Sequence, residues 1–240
     1  MSNTAISDNI RTIYKRISQA AMRTGRNSGD VKLVAVTKTV SIERIKEAVD
    51  TGLRIFGENR VQEARAKIEE LSRLSTIDHG LPTISWHLVG HLQKNKAKMA
   101  VQLFDLIHSL DSIGLADELN KYAEKTGKVQ KVLVQVKLSE EETKHGVPRE
   151  GLMDLIKAMS VMKNLKLEGL MTMPPFFEDP EKTRPYFKRL REIRDAVNSS
   201  LVTRYSLLEL SMGMTHDFEV AIEEGATMVR IGTGIFGERK

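Results

Sequence analysis

The residue around which this chain's chemistry is organised is a lysine at the end of an apolar run. In LVAVTKTV, Leu33 to Val40, strand-forming residues lead up to Lys38, and a helical pattern begins near Ser41. Alternation puts Val34, Val36 and Lys38 on one face and Leu33, Ala35 and Thr37 on the other. Both faces are apolar until the last residues, as in a parallel strand covered on both sides. A lysine at the rim of such a core is partly desolvated, a setting in which amines serve as nucleophiles. The plainer reading is a lysine that snorkels to water from a strand end, and this stretch alone favours it.

Three further groups bear on that choice. Arg230 sits between Val229 and Ile231, and alternation turns it to the opposite side from those two, toward a barrel interior. Ser211-Met212-Gly213-Met214-Thr215 ends another strand-like run. There Ser211 offers a hydroxyl and Gly213 leaves the backbone open to a ligand, while the plainer reading is a polar turn with Thr215 capping a helix. Gly232 to Gly237, GTGIFG, fits the spacing GxGxxG. A dinucleotide fingerprint needs a helix and an acidic residue about 20 positions later. Only Glu238, Arg239 and Lys240 follow, so that reading is rejected. The glycines with Thr233 still suit backbone contact with a phosphate. The histidines predict no metal site: His87 and His91 stand four apart, but Gly90 intervenes and no third ligand lies at helical spacing. His79, His145 and His216 receive no role.

The elements that must carry these groups alternate. After an amphipathic helix from Ala5 to Arg23, with Ile6, Ile10, Ile13 and Ile17 on one face, strand-like runs recur. They fall near Lys32 to Lys38, Leu53 to Glu58, Ser85 to Gly90, Leu103 to Leu110, Gln130 to Leu138, Leu165 to Met173, Leu207 to Met212 and Thr227 to Ile231. Helical patterns such as Leu152/Leu155/Met159 and Phe187/Leu190/Ile193/Val197 lie between them, and Ser72 to Ile84 reads as a loop. Eight alternations predict one α/β domain over 1–240, a (β/α)8 TIM barrel with an extra N-terminal helix; a doubly wound sheet is the alternative. In a barrel, ligand groups gather at the carboxyl ends of the strands. Those ends carry Lys38, Glu58-Asn59, His87, His108-Ser109, Lys137, Ser211 and Arg230 to Thr233.

With no cysteine, disulfides and thiolate chemistry are excluded. The formal charge of +5 is interleaved along the chain, which favours an anionic small molecule over nucleic acid. HLQKNKAK, His91 to Lys98, is basic but has no aromatic residue among its cations. No run is long enough to span a membrane, and MSNTAISDN lacks the basic and apolar regions of a signal peptide. A cytoplasmic protein is expected.

AVTKT at Ala35 to Thr39, FGENRVQE at Phe56 to Glu63, WHLVGHLQKNK at Trp86 to Lys96 and HSLDS at His108 to Ser112 form an ordered set. EEETKHG at Glu140 to Gly146, GLMTM at Gly169 to Met173, LSMGMTHD at Leu210 to Asp217 and VRIGTGIFG at Val229 to Gly237 continue it. Across essentially its whole length the sequence resembles the YggS/PROSC family of pyridoxal-phosphate-binding homeostasis proteins, whose fold is similar to the barrel of alanine racemase. The resemblance implies pyridoxal 5'-phosphate as cofactor, held at Lys38 as an internal aldimine. It implies Ser211, Gly232 and Thr233 at the phosphate, with Gly213 in the same loop region, Arg230 facing the pyridine nitrogen and Asn59 at the rim. Two positions depart from the family pattern: Lys137 stands where asparagine is common, and Thr215 replaces a serine while keeping its hydroxyl.

The implied function is a reversible carrier that contributes to intracellular vitamin B6 and amino-acid homeostasis. It has no assigned catalytic residue, and its partners are the small-molecule cofactor and transient pyridoxal-phosphate-dependent recipient enzymes. Racemisation needs acid-base groups on both faces of a substrate carbon, and the chain stops soon after its eighth strand. A weak amino-acid racemase is the alternative. A monomer or weak homodimer, without nucleic acid or membrane, completes the expectation.

Overall fold

The computed structural model describes residues 6–77, 83–141, 145–200 and 206–238. His79, the middle of the EEETKHG block and the final two residues lie outside them. Parallel strands β1 (Lys32–Val36), β2 (Ile55–Glu58), β3 (Ser85–Leu88), β4 (Leu106–Leu110) and β5 (Gln130–Lys137) follow one another around a ring. A two-residue β6 (Val147–Pro148) only flanks β5, and β7 (Leu165–Met171), β8 (Glu209–Met214) and β9 (Met228–Ile231) complete the circle. Pairing of β4 with β5 and of β9 with β1 closes it. The result is the expected eight-stranded TIM barrel with helices between the strands and one leading helix.

Alternation divides the barrel's apolar residues into two sets. Val34, Leu106, Leu133, Met171 and Met228 cluster inside the barrel, while Leu33, Ala35, Phe56, Val229 and Ile231 belong to the larger core beneath the helices. Helix α1 (Ile6–Arg23) buries its four isoleucines against α2 (Ile42–Asp50), α8 (Phe218–Glu223) and α9 (Thr233–Phe236). Burying one such side chain contributes about 1.5–3 kcal/mol. The other connections are α3 (Val61–Ile77), α4 (Ala97–Leu103), α5 (Ile113–Lys125), α6 (Arg149–Met159) and α7 (Arg184–Asn198). Among the described residues no helix is long and apolar enough to cross a membrane.

Some boundaries differ from the sequence reading. Strand β1 stops at Val36, so Lys38 lies in the following turn, where Thr39 takes the left-handed conformation at φ 62°. Helix α3 runs to Ile77, through the first part of the stretch read as a loop. Strand β4 begins at Leu106 because the preceding residues bury Ala97, Ala100 and Val101 at helical spacing in α4. His108 and Ser109 are buried within β4 rather than displayed at its rim.

Candidate functional site

Two cavities adjoin at the carboxyl ends of the strands. The first, about 280 Å³, is the barrel mouth and is lined by residues that include Asn59, Phe176, Thr215, Arg230 and Thr233. The second, about 410 Å³, is lined by Lys38, Ser41 and Arg44 among others. Val36, Gly232 and Thr233 border both. The fold therefore brings Asn59, Arg230, Gly232 and Thr233 to one cavity and Lys38 to its neighbour across a shared wall. Ser211 and Gly213 border neither.

Arg230 is buried and faces the barrel interior, as alternation requires. Its Nη1 donates to Ser211 Oγ at 2.6 Å and its Nη2 to the Thr172 carbonyl at 2.9 Å. Burial lowers its pKa to about 10, against the favourable field of Asp217, so it stays charged near neutrality. Ser211 Oγ also lies 2.8 Å from His108 Nδ1, and His108 Nε2 lies 3.0 Å from His87 Nδ1. One direction along this chain leaves no hydrogen idle. Guanidinium only donates, and we assign the Ser211 hydrogen to His108 Nδ1, the acceptor within reach; His108 then carries its proton on Nε2 and donates to His87. Both histidines must be neutral for this pattern. Burial does hold both down, His87 to about 4 and His108 well below the usual imidazole value, with His87 and Arg230 adding to the effect on His108.

Ser211 thus spends its hydroxyl inside the barrel, and Thr215 occupies the exposed end of the same segment. Thr215 Oγ1 lies 3.3 Å from Thr233 Oγ1 and accepts from the Gly234 amide at 3.4 Å. A side chain at Gly232 would press its Cβ to 3.2 Å from the Val36 carbonyl, so only glycine leaves this wall thin. Gly213, at φ 89°, turns its bare α-carbon toward α8, where a Cβ would stand 2.6 Å from Ala221 Cβ. The space it leaves is filled by α8 rather than by the cavity. Asn59 is fixed from behind, because a Cβ on Gly90 would lie 2.3 Å from the Asn59 carbonyl oxygen.

The turn that carries Lys38 is held on both sides by one charged cluster. Lys67 Nζ on α3 donates to the Thr37 carbonyl at 2.6 Å and to Glu58 Oε1 and Glu63 Oε1, each at 2.7 Å. Glu63 Oε1 accepts from the Thr39 amide at 2.6 Å, and Thr37 Oγ1 donates to Glu58 Oε1 at 2.6 Å. Burial pushes the Glu58 carboxyl upward despite bonds from Lys67 and Thr37, and Glu58 Oε2 is buried without a hydrogen-bond partner. Burial also opposes ionisation of Glu63, but Lys67 and the Thr39 amide outweigh it and hold that carboxyl below its usual value. Lys38 therefore projects from a turn whose two flanking residues are tied down.

Sequence reasoning passed over this cluster, although Glu63 and Lys67 stand at helical i,i+4 spacing. It also missed the interior pairing of His87 with His108, which only strand register brings together. Phe176 and His216 complete the mouth; their ring centroids lie 5.4 Å apart, and His216 Nε2 is 2.8 Å from the Glu178 carbonyl. An aromatic pair among the prolines and acids of PPFFEDP was the available signal for Phe176, which is 74% exposed. Lys137 lines a different cavity, together with Glu140 and Arg149.

The family described as alanine racemase, N-terminal domain, matches residues 3–240. The pyridoxal phosphate homeostasis protein of Aquifex aeolicus is 47% identical over 233 residues, covering 97% of this chain and 98% of its own length. The protein of the same name from Escherichia coli K12 is 38% identical, covering 98% of this chain and 97% of its own. Among solved structures, PipY of Synechococcus elongatus with pyridoxal phosphate (PLP) bound superposes with a TM-score of 0.80 at 38% identity. It covers 94% of this chain and 100% of that one.

Proposed function

The chain belongs to the YggS/PROSC family of pyridoxal phosphate homeostasis proteins, and from that premise we propose that it binds pyridoxal 5'-phosphate reversibly and buffers its supply to other enzymes. The observation that carries this reading is the convergence of Asn59, Arg230, Gly232 and Thr233 on one mouth cavity, with Lys38 across the Gly232-Thr233 wall. The donor set suits the molecule. It offers an amine for an aldehyde, hydroxyls and thin glycine backbone for a phosphate, and a buried cation for a ring nitrogen.

In this reading Lys38 supplies the amine that condenses with the cofactor's aldehyde, with release of water. Thr233 and Thr215 supply hydroxyls to the phosphate, and Gly232 lets it approach the backbone. Ser211 and Gly213 act from behind, one by aligning Arg230 and the other by seating α8. Bound cofactor supplies an electron sink; Arg230 weakens it, because a permanently charged donor facing the pyridine nitrogen disfavours protonation there. Among the described residues lining the mouth, the ionisable side chains are His216 and the charged Arg230, not the pair of acid-base groups that racemisation needs, which favours holding over turnover. Transient delivery to recipient enzymes in the cytoplasm, and with it a contribution to vitamin B6 and amino-acid homeostasis, follows as the role.

The test is the ultraviolet-visible spectrum of purified protein mixed with pyridoxal 5'-phosphate, followed by borohydride trapping and peptide mapping. The label is expected on Lys38 and absent from Lys38→Ala. Undiminished trapping in that variant overturns the assignment. Loss of α-deuterium from an amino acid above a cofactor-only control, abolished by Lys38→Ala, replaces the carrier with the racemase.

A further inference from the structure

We propose that His91, Asp111 and His145 form a binding site for a divalent transition metal of the zinc class. The three residues follow β3 and β4 and precede β6, so they occupy the arc of the rim across the barrel from β8 and β9. One ligand atom from each, two imidazole nitrogens and a carboxylate oxygen, all lie within 4.8 Å of one another. They are 20 and 34 residues apart in sequence, which is why no local motif announces them.

One pair of the three already has the separation of two ligands on an ion. His91 Nδ1 and Asp111 Oδ2 are 3.4 Å apart, beyond the usual 2.7–3.2 Å range of an N–H···O bond. Two ligands bonded at about 2.0–2.1 Å to a tetrahedral ion are separated by roughly 3.3–3.4 Å. The interior pair His87 and His108, by contrast, sits at a hydrogen-bonding 3.0 Å.

The rings of His91 and His145 are stacked, with centroids 3.8 Å apart and planes 10° from parallel. An imidazole binds a metal in its own plane, so a shared ion requires one ring to turn about its Cβ–Cγ bond. Both residues are exposed, which leaves that rotation unobstructed by a core. The backbone of His145 is nevertheless anchored, because the buried Gln135 side chain donates through Nε2 to its carbonyl at 2.8 Å. A fixed backbone with an exposed ring suits capture of an ion from solution.

Two imidazoles and one carboxylate select borderline ions such as zinc, cobalt or nickel over magnesium and calcium, which take oxygen ligands. Three protein ligands leave a fourth position open toward solvent. The chain has no cysteine, so no thiolate competes for such an ion.

The test is calorimetric titration of the full-length, tag-free, chelator-stripped protein with zinc chloride at pH 8, in the absence of pyridoxal phosphate. One equivalent is expected to bind, with affinity lowered about tenfold or more in His91→Ala and in His145→Ala, and lowered in Asp111→Asn. Lys38→Ala is expected to bind zinc like the parent, which separates this site from the cofactor reading. Thermal melts of the metal-free variants check that they remain folded. Absence of saturable zinc binding overturns the proposal, as does undiminished binding in a His91→Ala/His145→Ala double variant. An excess of magnesium that displaces zinc also overturns it.

Discussion

Arg230 Nη1 lies 2.6 Å from Ser211 Oγ, and both residues are buried. The bond makes one serine the joint between a cation at the mouth and two neutral histidines inside the barrel. Ser211→Ala would leave Arg230 Nη1 and His108 Nδ1 without that partner. A buried polar group stripped of its bond costs about 1–3 kcal/mol, and a loss of that size is expected in urea unfolding of Ser211→Ala. A variant as stable as the parent would mean that the chain from Arg230 to His87 carries no weight.

Thr215 is expected to matter to the phosphate and Ser211 to matter much less. Thr215→Val keeps the shape and removes the hydroxyl. A hydrogen bond to a charged group contributes about 1.5–3 kcal/mol, or about a tenfold or greater change in affinity. Equilibrium dialysis should show that loss for pyridoxal 5'-phosphate and little change for pyridoxal, which has no phosphate. Equal losses for both ligands would remove Thr215 from the phosphate site.

These two residues also show where sequence reading reaches its limit. The eight strand-helix units, the inward turn of Arg230 and the buried isoleucines of α1 follow from periodicity, which is a local property. Ser211 and Thr215 are four residues apart in one segment, and either hydroxyl could have faced the ligand. Thr215 lines the mouth and Ser211 does not, and that depends on the left-handed Gly213 and on what fills the barrel opposite, namely His108 from a strand over a hundred residues away. In the same way, Lys67 drew no role from the sequence, and it is the fold that lays it beneath Thr37 and Glu58. Partners fixed by strand register cannot be read from one segment at a time.

The neutral interior histidines predict an acid-side weakness. His87 is held at about 4 in the folded state, against 6.5 for an ordinary histidine. Between those values the unfolded chain binds a proton that the folded chain does not, so stability falls as pH falls from 6.5 toward 4. At 1.36 kcal/mol per pKa unit, His87 alone accounts for roughly 3 kcal/mol over that window. His87→Gln can still accept the bond from His108 but does not titrate there. Urea unfolding at pH 6.5, 5.5 and 4.5 should give a shallower decline for His87→Gln than for the parent, and parallel declines would contradict the buried neutral pair.

The last prediction concerns the turn that presents Lys38. Lys67→Met removes the amine that joins the Thr37 carbonyl, Glu58 and Glu63, leaving Glu58 buried beside no cation. Breaking a buried pair on one side costs about 3–5 kcal/mol, and a destabilisation of that order is expected at pH 8. Glu58 can escape by taking a proton. Its folded pKa is already raised, and losing Lys67 raises it further, so the folded variant binds a proton more readily than the unfolded chain. The deficit relative to the parent should therefore shrink as pH falls from 8 to 5. A Glu58→Gln/Lys67→Met double variant should likewise be more stable at pH 8 than Lys67→Met alone. Because the Thr37 carbonyl loses its donor and Glu63, which holds the Thr39 amide, loses its cation, borohydride trapping at Lys38 should slow even under conditions where the variant is fully folded. Normal trapping in a folded Lys67→Met protein would confine the cluster to stability and remove it from the presentation of the amine.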